Sequence, residues 1–164
     1  LCVISILGAF FLTKMGLECF TSAVPEIDTD APDISTPDKP NFDTNHWERV
    51  LNGNAVRITH SVNDGEFGGE RIIIWDPDQE SLVSWYFTTA GIITNSIIRI
   101  EKNRLVSIED VSKNDNGIKK IKTIYTLTND GRLSNKIKYF MNNIWVDAHE
   151  LVYYKDINAK VIFK

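Results

Sequence analysis

The residues most able to do chemistry in this chain are His60, Glu70 and Glu150, and their value depends on which way they point. An imidazole beside a carboxylate can move a proton, orient a polar ligand, or simply satisfy itself as a buried pair. In Asn54–Val62 the apolar residues Val56, Ile58 and Val62 fall in phase with His60, while Arg57, Thr59 and Ser61 take the opposite phase. Residues two apart in a strand share a face, so His60 is expected inside. In the following segment Ile72 and Ile74 carry Glu70 with them, which makes Glu70 the expected partner from the neighbouring strand. In Ile144–Lys155 two phases compete. Ile144, Val146, Ala148 and Val152 bring Glu150, whereas Trp145, Leu151 and Tyr153 bring His149.

No nucleophile stands with its base in sequence, so no catalytic residue is assigned. Three histidines spread along the chain do not make a metal site, and the cysteines, Cys2 and Cys19, both precede the region of repeated strands. No cofactor motif is present. Gly68-Gly69-Glu70 is not a phosphate loop, because no helix follows it, and it reads as a glycine bulge ahead of a strand. Trp75, Trp85 and Trp145, with Tyr86 and Tyr125, suit a β core, and some of them could line a cavity.

These side chains must be held by strands. From Asn54 onward the chain is a succession of short runs rich in Val, Ile, Tyr, Phe and Thr. Strands are expected near Asn54–Val62, Glu70–Asp76, Ser81–Thr89, Ile93–Glu101, Arg104–Ser112, Ile118–Thr128, Arg132–Asn142, Ile144–Lys155 and Ala159–Phe163. Between them stand Asn63-Asp64-Gly65, Asp76-Pro77-Asp78, Lys102-Asn103, Asn129-Asp130-Gly131 and Asn142-Asn143, residues that suit tight turns. No gap is long enough for a crossover helix, so sequence neighbours should pair. The expected fold is therefore all-β: an antiparallel up-and-down meander of about 8–9 strands that closes, or nearly closes, to remove its edges.

Residues 24–53 are expected to form a Pro/Asp-rich arm leading into a barrel domain over 54–164. Four of the five prolines lie between Pro25 and Pro40, and His46–Leu51 reads as a hinge before Asn52-Gly53. Residues 1–23 open with the apolar run Leu1–Leu12, which is too short to span a bilayer. It suits a signal peptide with cleavage before Val24, or else a degenerate first strand. A formal net charge of -4 excludes the dense basic surface that a nucleic-acid binder needs.

Several of these motifs resemble a family of uncharacterised bacterial secreted proteins, lipocalin-like (calycin-type) β-barrels related to domain-of-unknown-function group 1579. The resemblance rests on Asn54–Gly65, Gly68-Gly69-Glu70, Tyr86–Gly91, Asn116-Gly117-Ile118, Asp130-Gly131-Arg132, Trp145-Val146, His149-Glu150 and Ala159–Phe163. It implies a barrel and export to a secreted or periplasmic location. Two departures stand out. The family's Trp-containing first strand is replaced by the segment around Lys14-Met15-Gly16, and its Ser-His-Glu is Ser107-Ile108-Glu109 here.

The leading expectation is a binding protein that encloses a small, mostly apolar ligand, with His60, Glu70 and Tyr86 orienting its polar end. Trp85, Tyr125 and Glu150 complete the expected lining. The alternatives are an acid–base enzyme using His60 with a carboxylate, and an interaction module with a solid interior. An enclosed cavity favours the first, contact of His60 with Glu70 in an open cleft the second, and a filled barrel the third.

Overall fold

The computed structural model describes residues 18–24, 41–113 and 117–164, with residues 18–24 and Asn41 given by backbone alone. Residues 1–17 of the segment expected as a leader or first strand, and residues 25–40 of the expected arm, lie outside the described residues. Ten strands follow one another: β1 Glu18–Val24, β2 Asn41–Val50, β3 Ala55–Val62, β4 Phe67–Asp76, β5 Ser81–Thr88, β6 Ile93–Glu101, β7 Arg104–Asp110, β8 Lys120–Leu127, β9 Leu133–Met141 and β10 Ile144–Lys155. Each pairs antiparallel with its neighbours in sequence. β1 also meets β10 through Phe20↔Lys155 and Thr21↔Tyr154, which closes the ring. No helix among the described residues is long and apolar enough to cross a membrane.

The meander is as the alternation implies, and the differences lie at its two ends. Asn41–Val50 is a full barrel strand rather than the end of an arm, so the barrel begins before Asn54. Its inward positions are Asp43, Asn45 and Trp47, opposite Val62, His60 and Ile58. Two of the three are polar, which is why no apolar alternation betrayed the strand. Glu18–Val24 is likewise a strand, the alternative to a leader over 1–23, and a cut before Val24 would take most of it away. At the other end, Ala159–Phe163 is not a strand. It lies along the outside of β3 and β4, where Ile162 N donates to Ser61 Oγ at 3.1 Å. Ser61 thus faces outward, as its phase requires, and is nonetheless buried.

The turns use the residues that tolerate left-handed backbone. Asn142 and Asn143 have φ of 50° and 64° between β9 and β10, and Asn63 and Asp64 have 48° and 55° between β3 and β4. Gly68 and Gly69, by contrast, form no bulge. They pair in register with Ser61 and His60. Glycine is required there for space: a Cβ on Gly68 would meet the Phe163 ring at 3.1 Å, and one on Gly69 would meet the Tyr86 ring at 2.7 Å.

The packed core fills one end of the barrel. Trp47, Val56, Ile58, Ile73, Ile98, Leu105, Leu133, Leu151 and Tyr153 are buried together, with Leu82, Ile100, Tyr125 and Leu127 against them. All lie toward the end that carries the β2–β3, β4–β5, β6–β7 and β8–β9 turns. Leu133 has no exposed surface. Truncation there should leave a hole that ten curved strands cannot collapse around, so Leu133→Ala is expected to lower stability by about 2–5 kcal/mol. Urea unfolding followed by tryptophan fluorescence measures it, and a loss below about 1 kcal/mol would contradict a packed plug at this end.

Candidate functional site: the barrel interior

Side chains directly opposite one another in an antiparallel ladder share a face, so the register of β3 fixes the phase of every later strand up to the bulge in β10. His60 is opposite Gly69, Ile58 opposite Arg71 and Val56 opposite Ile73. Arg71 is then opposite Tyr86, Tyr86 opposite Thr94, and Ser96 opposite Glu109. Glu109 faces Ile121, and Tyr125 faces both Leu105 and Asn135. These inward positions enclose a cavity of about 500 Å³ above the apolar plug. Ile92, 53% exposed, and Phe67 belong to its lining and sit by the turns of the opposite end, so the cavity reaches solvent there.

His60, Tyr86 and Tyr125 line this cavity, as expected. Glu70, Trp85 and Glu150 do not. Glu70 is opposite Thr59 and Phe87 and so shares the outer face. The phase of β4 inverts because Ile72, Ile73 and Ile74 are consecutive and fit either face. Its inward set is Gly69, Arg71 and Ile73, with Ile73 buried. Trp85 pairs with Ile72 and is 47% exposed. Glu150 is exposed and accepts a hydrogen bond from Ser134 Oγ at 2.6 Å.

The two competing phases of β10 are both right, on either side of a bulge. The register shifts between Asp147 and His149. Before the shift Val146 faces Tyr139, and after it His149, Leu151 and Tyr153 face Ile137, Asn135 and Leu133. The extra residue turns His149 into the cavity and Glu150 out of it.

His60 has different partners from the one expected. Its Nε2 lies 2.6 Å from Tyr86 Oη and its Nδ1 3.4 Å from Asp43 Oδ1. Asp43 Oδ2 in turn accepts a hydrogen bond from Tyr153 Oη at 2.8 Å. A carboxylate only accepts, so Nδ1 carries the proton toward Asp43, and Nε2 shares the shorter hydrogen bond with the Tyr86 hydroxyl. Burial raises the Tyr86 phenol above its ordinary value, with the Arg71 guanidinium opposing it, and burial raises Tyr125 and Tyr153 as well. All three stay protonated donors through the physiological range. Tyr86 Oη can reach His60 because Gly69 leaves room for its ring.

Below this chain Arg71 gives the cavity a polar floor, set over a serine cluster that does not itself line the cavity. Ser107 Oγ donates to Ser96 Oγ at 2.8 Å, and Ser84 Oγ is 2.7 Å from Ser96 Oγ, all three buried. Arg71 Nη1 donates to Ser107 Oγ at 3.3 Å, and its guanidinium carbon stands 5.0 Å from the centre of the Tyr86 ring. Thr94 Oγ1 and Asn135 Oδ1, both in cavity-lining residues, are buried oxygens with no hydrogen-bond partner. Ile108 faces outward beside Ile97, so a histidine at that position would not line the cavity. Asp43, Arg71, Glu109 and Asn135 are polar lining residues that sequence reasoning missed, whereas His149 belonged to one of the two phases it left open. For Arg71, counting register outward from the His60 face would have found it. No group of three or more His, Cys, Asp or Glu that could hold a metal occurs among the described residues.

No protein-family model matches the chain, and no curated protein matches it in sequence.

Two outcomes follow. His60→Ala and Tyr86→Phe should each cost about 1–3 kcal/mol, since each strands a buried polar partner. The double variant should fall short of the sum by at least 0.5 kcal/mol, on the order seen for contacting pairs. His60→Ala with Glu70→Gln should instead add within about 0.5 kcal/mol. Urea denaturation of the parent, the three single variants and the two doubles separates the two. The second outcome concerns His149, whose pKa burial lowers from 6.5. In the pH range between the lowered value and 6.5 the unfolded chain binds the proton and the folded one does not, so stability is full above that range and falls as pH drops through it. His149→Gln should flatten this part of a stability–pH profile, and an unchanged slope would place His149 in water.

Proposed function

We propose that the barrel binds a small amphiphile head-first, with an acidic group on the polar floor and an apolar body toward the open end. The observation that carries this reading is Arg71. A guanidinium has five donors, and this one spends a single hydrogen bond on a neutral serine while lining an interior cavity. None of the ion pairs among the described residues includes it. Its natural complement is a carboxylate or similar oxyanion, held by two parallel hydrogen bonds.

The surroundings support the orientation. Asp43 is engaged by Tyr153 and His60, so each of its oxygens already has a polar neighbour. Glu109 is nearer the open end than Ser107 on the same inward face of β7, and Arg71 turns to Ser107. Phe67, Ile92, Val111 and Ile121 give the apolar wall toward the solvent side, and Thr94 and Asn135 offer further polar contacts. The volume of about 500 Å³ is of the size that holds one small molecule. The acid–base alternative rested on His60 with a carboxylate; Glu70, the expected one, is on the opposite face, and the carboxylate that His60 meets is Asp43, which Tyr153 also engages. A binding role of this kind, in a protein exported from the cytoplasm, also agrees with the resemblance to secreted calycin-type barrels.

Calorimetric titration with decanoate and with decanol tests it. Decanoate should bind, and Arg71→Gln should weaken it by roughly 10–100-fold, as expected for losing a charged hydrogen bond of about 1.5–3 kcal/mol. Decanol should bind more weakly and be indifferent to the substitution. Equal affinity for the two ligands would remove Arg71 from the reading, and binding of neither would remove the apolar wall.

A further inference from the structure

The outside of the barrel carries an apolar face that the closed ring leaves without cover. The outward positions of β4, β5, β6 and β7 are in register across four strands. Glu70 is opposite Phe87 and Phe87 opposite Ile93, while Ile72 is opposite Trp85 and Trp85 opposite Asn95. Ile74, Val83, Ile97 and Ile108 make the next row. Trp85, Phe87, Ile93 and Ile97 are 47%, 44%, 62% and 47% exposed, so they adjoin one another rather than lying scattered.

We propose that this face is the dimer interface of the protein, packed against the same face of a second copy. Size is the first argument. At ~150–250 Å² for a large side chain, the four most exposed residues alone present roughly 400 Å² of apolar surface. A standard interface takes about 800 Å² from each partner, roughly 65% of it apolar in homodimers. Ile72, Ile74, Val83 and Ile108, half-buried in the monomer, extend the patch toward that requirement.

The second argument selects the occupant. Asn95 is exposed within the patch, opposite Trp85 and between Ile93 and Ile97 on the same face. Its amide is both donor and acceptor, so it can pair with its own copy across a two-fold axis and leave nothing unsatisfied. An anionic membrane surface would want lysine or arginine within the patch, and these three rows hold none across β4–β7. An added peptide strand would want a free edge, and every described strand is paired on both sides.

Sedimentation velocity over ~1–100 µM tests this on the whole chain. A concentration-dependent dimer is expected, with Trp85→Lys and Asn95→Asp each shifting it toward monomer by about tenfold or more. Both positions are exposed in the monomer, so far-ultraviolet circular dichroism of the variants should match the parent, and Asn95→Asp keeps the side-chain volume if Trp85→Lys folds poorly. A parent that stays monomeric throughout, or a dimer that neither variant weakens, overturns the proposal. Recruitment to phosphatidylcholine vesicles without self-association would also overturn it, in favour of a lipid-facing surface.

Discussion

Closure of the ladder governs everything else in this molecule. An antiparallel strand alternates its faces with period two, so a single inward residue in a closed, continuously paired meander fixes the facing of all the others up to the next bulge. Val56 and Ile58 set that phase in β3, and the register carries it to Arg71, Tyr86, Thr94, Glu109 and Tyr125 without further instruction. Side chains from nine strands therefore meet in one cavity although no two neighbours in sequence do so. One departure occurs, at Asp147–His149, and it changes the chemistry by bringing an imidazole in and sending a carboxylate out.

The interior is layered along the barrel axis. At one end branched and aromatic side chains fill the space, and burial of that surface supplies much of the stability of the barrel. Further along, the inward residues become small and hydroxylated, Ser84, Ser96, Ser107 and Thr123, and volume opens. Polar groups here are tolerable because most have partners: the serines bond one another, Trp47 Nε1 donates to Asn45 Oδ1 at 3.0 Å, and Tyr153, Asp43, His60 and Tyr86 form a continuous chain. Arg71, Thr94 and Asn135 are the members whose capacity is left over. A packed module would bury leucine at such positions, and a polar floor under an apolar wall makes sense where something with two ends is received.

How much of this was legible beforehand depended on how distinct the two faces of each strand are. In β3 one face is Val, Ile and His and the other Arg, Thr and Ser, and the placement of His60 followed directly. The turns were legible for a similar reason, since Asn, Asp and Gly are the residues that accept positive φ. In β4 three consecutive isoleucines erased the contrast, and Glu70 was placed inside while Arg71 was overlooked. In β2 the contrast was reversed by function: Asp43 and Asn45 are inward polar residues, and the strand looked like a hinge. Trp85 was ambiguous because β5 is apolar on both faces, inward by Leu82 and outward by Val83, Trp85 and Phe87. Such a strand signals burial on two sides, and only one of them is supplied by the barrel itself.

The C-terminal segment shows the same economy applied to the outer surface. Ala159–Phe163 has the composition of a strand, yet the end of β10 that leads into it already has β9 on one side and β1 on the other. It packs across the outside of β3 and β4, where Gly68 makes room for the Phe163 ring and Ser61 accepts from Ile162 N. The glycine pair thus works on both sides of one strand. Gly68 admits an aromatic ring from outside, and Gly69, one residue on and therefore facing in, admits the ring of Tyr86. Each ring fixes what lies next to it: Phe163 holds the tail against the barrel, and Tyr86 holds His60. A side chain at either glycine would push a ring away, and at Gly69 the nearest obstacle is the backbone oxygen of Phe87 at 2.5 Å, which cannot yield without moving β5. The spacing that a sequence reading takes for a bulge is therefore a requirement of packing on two opposite faces.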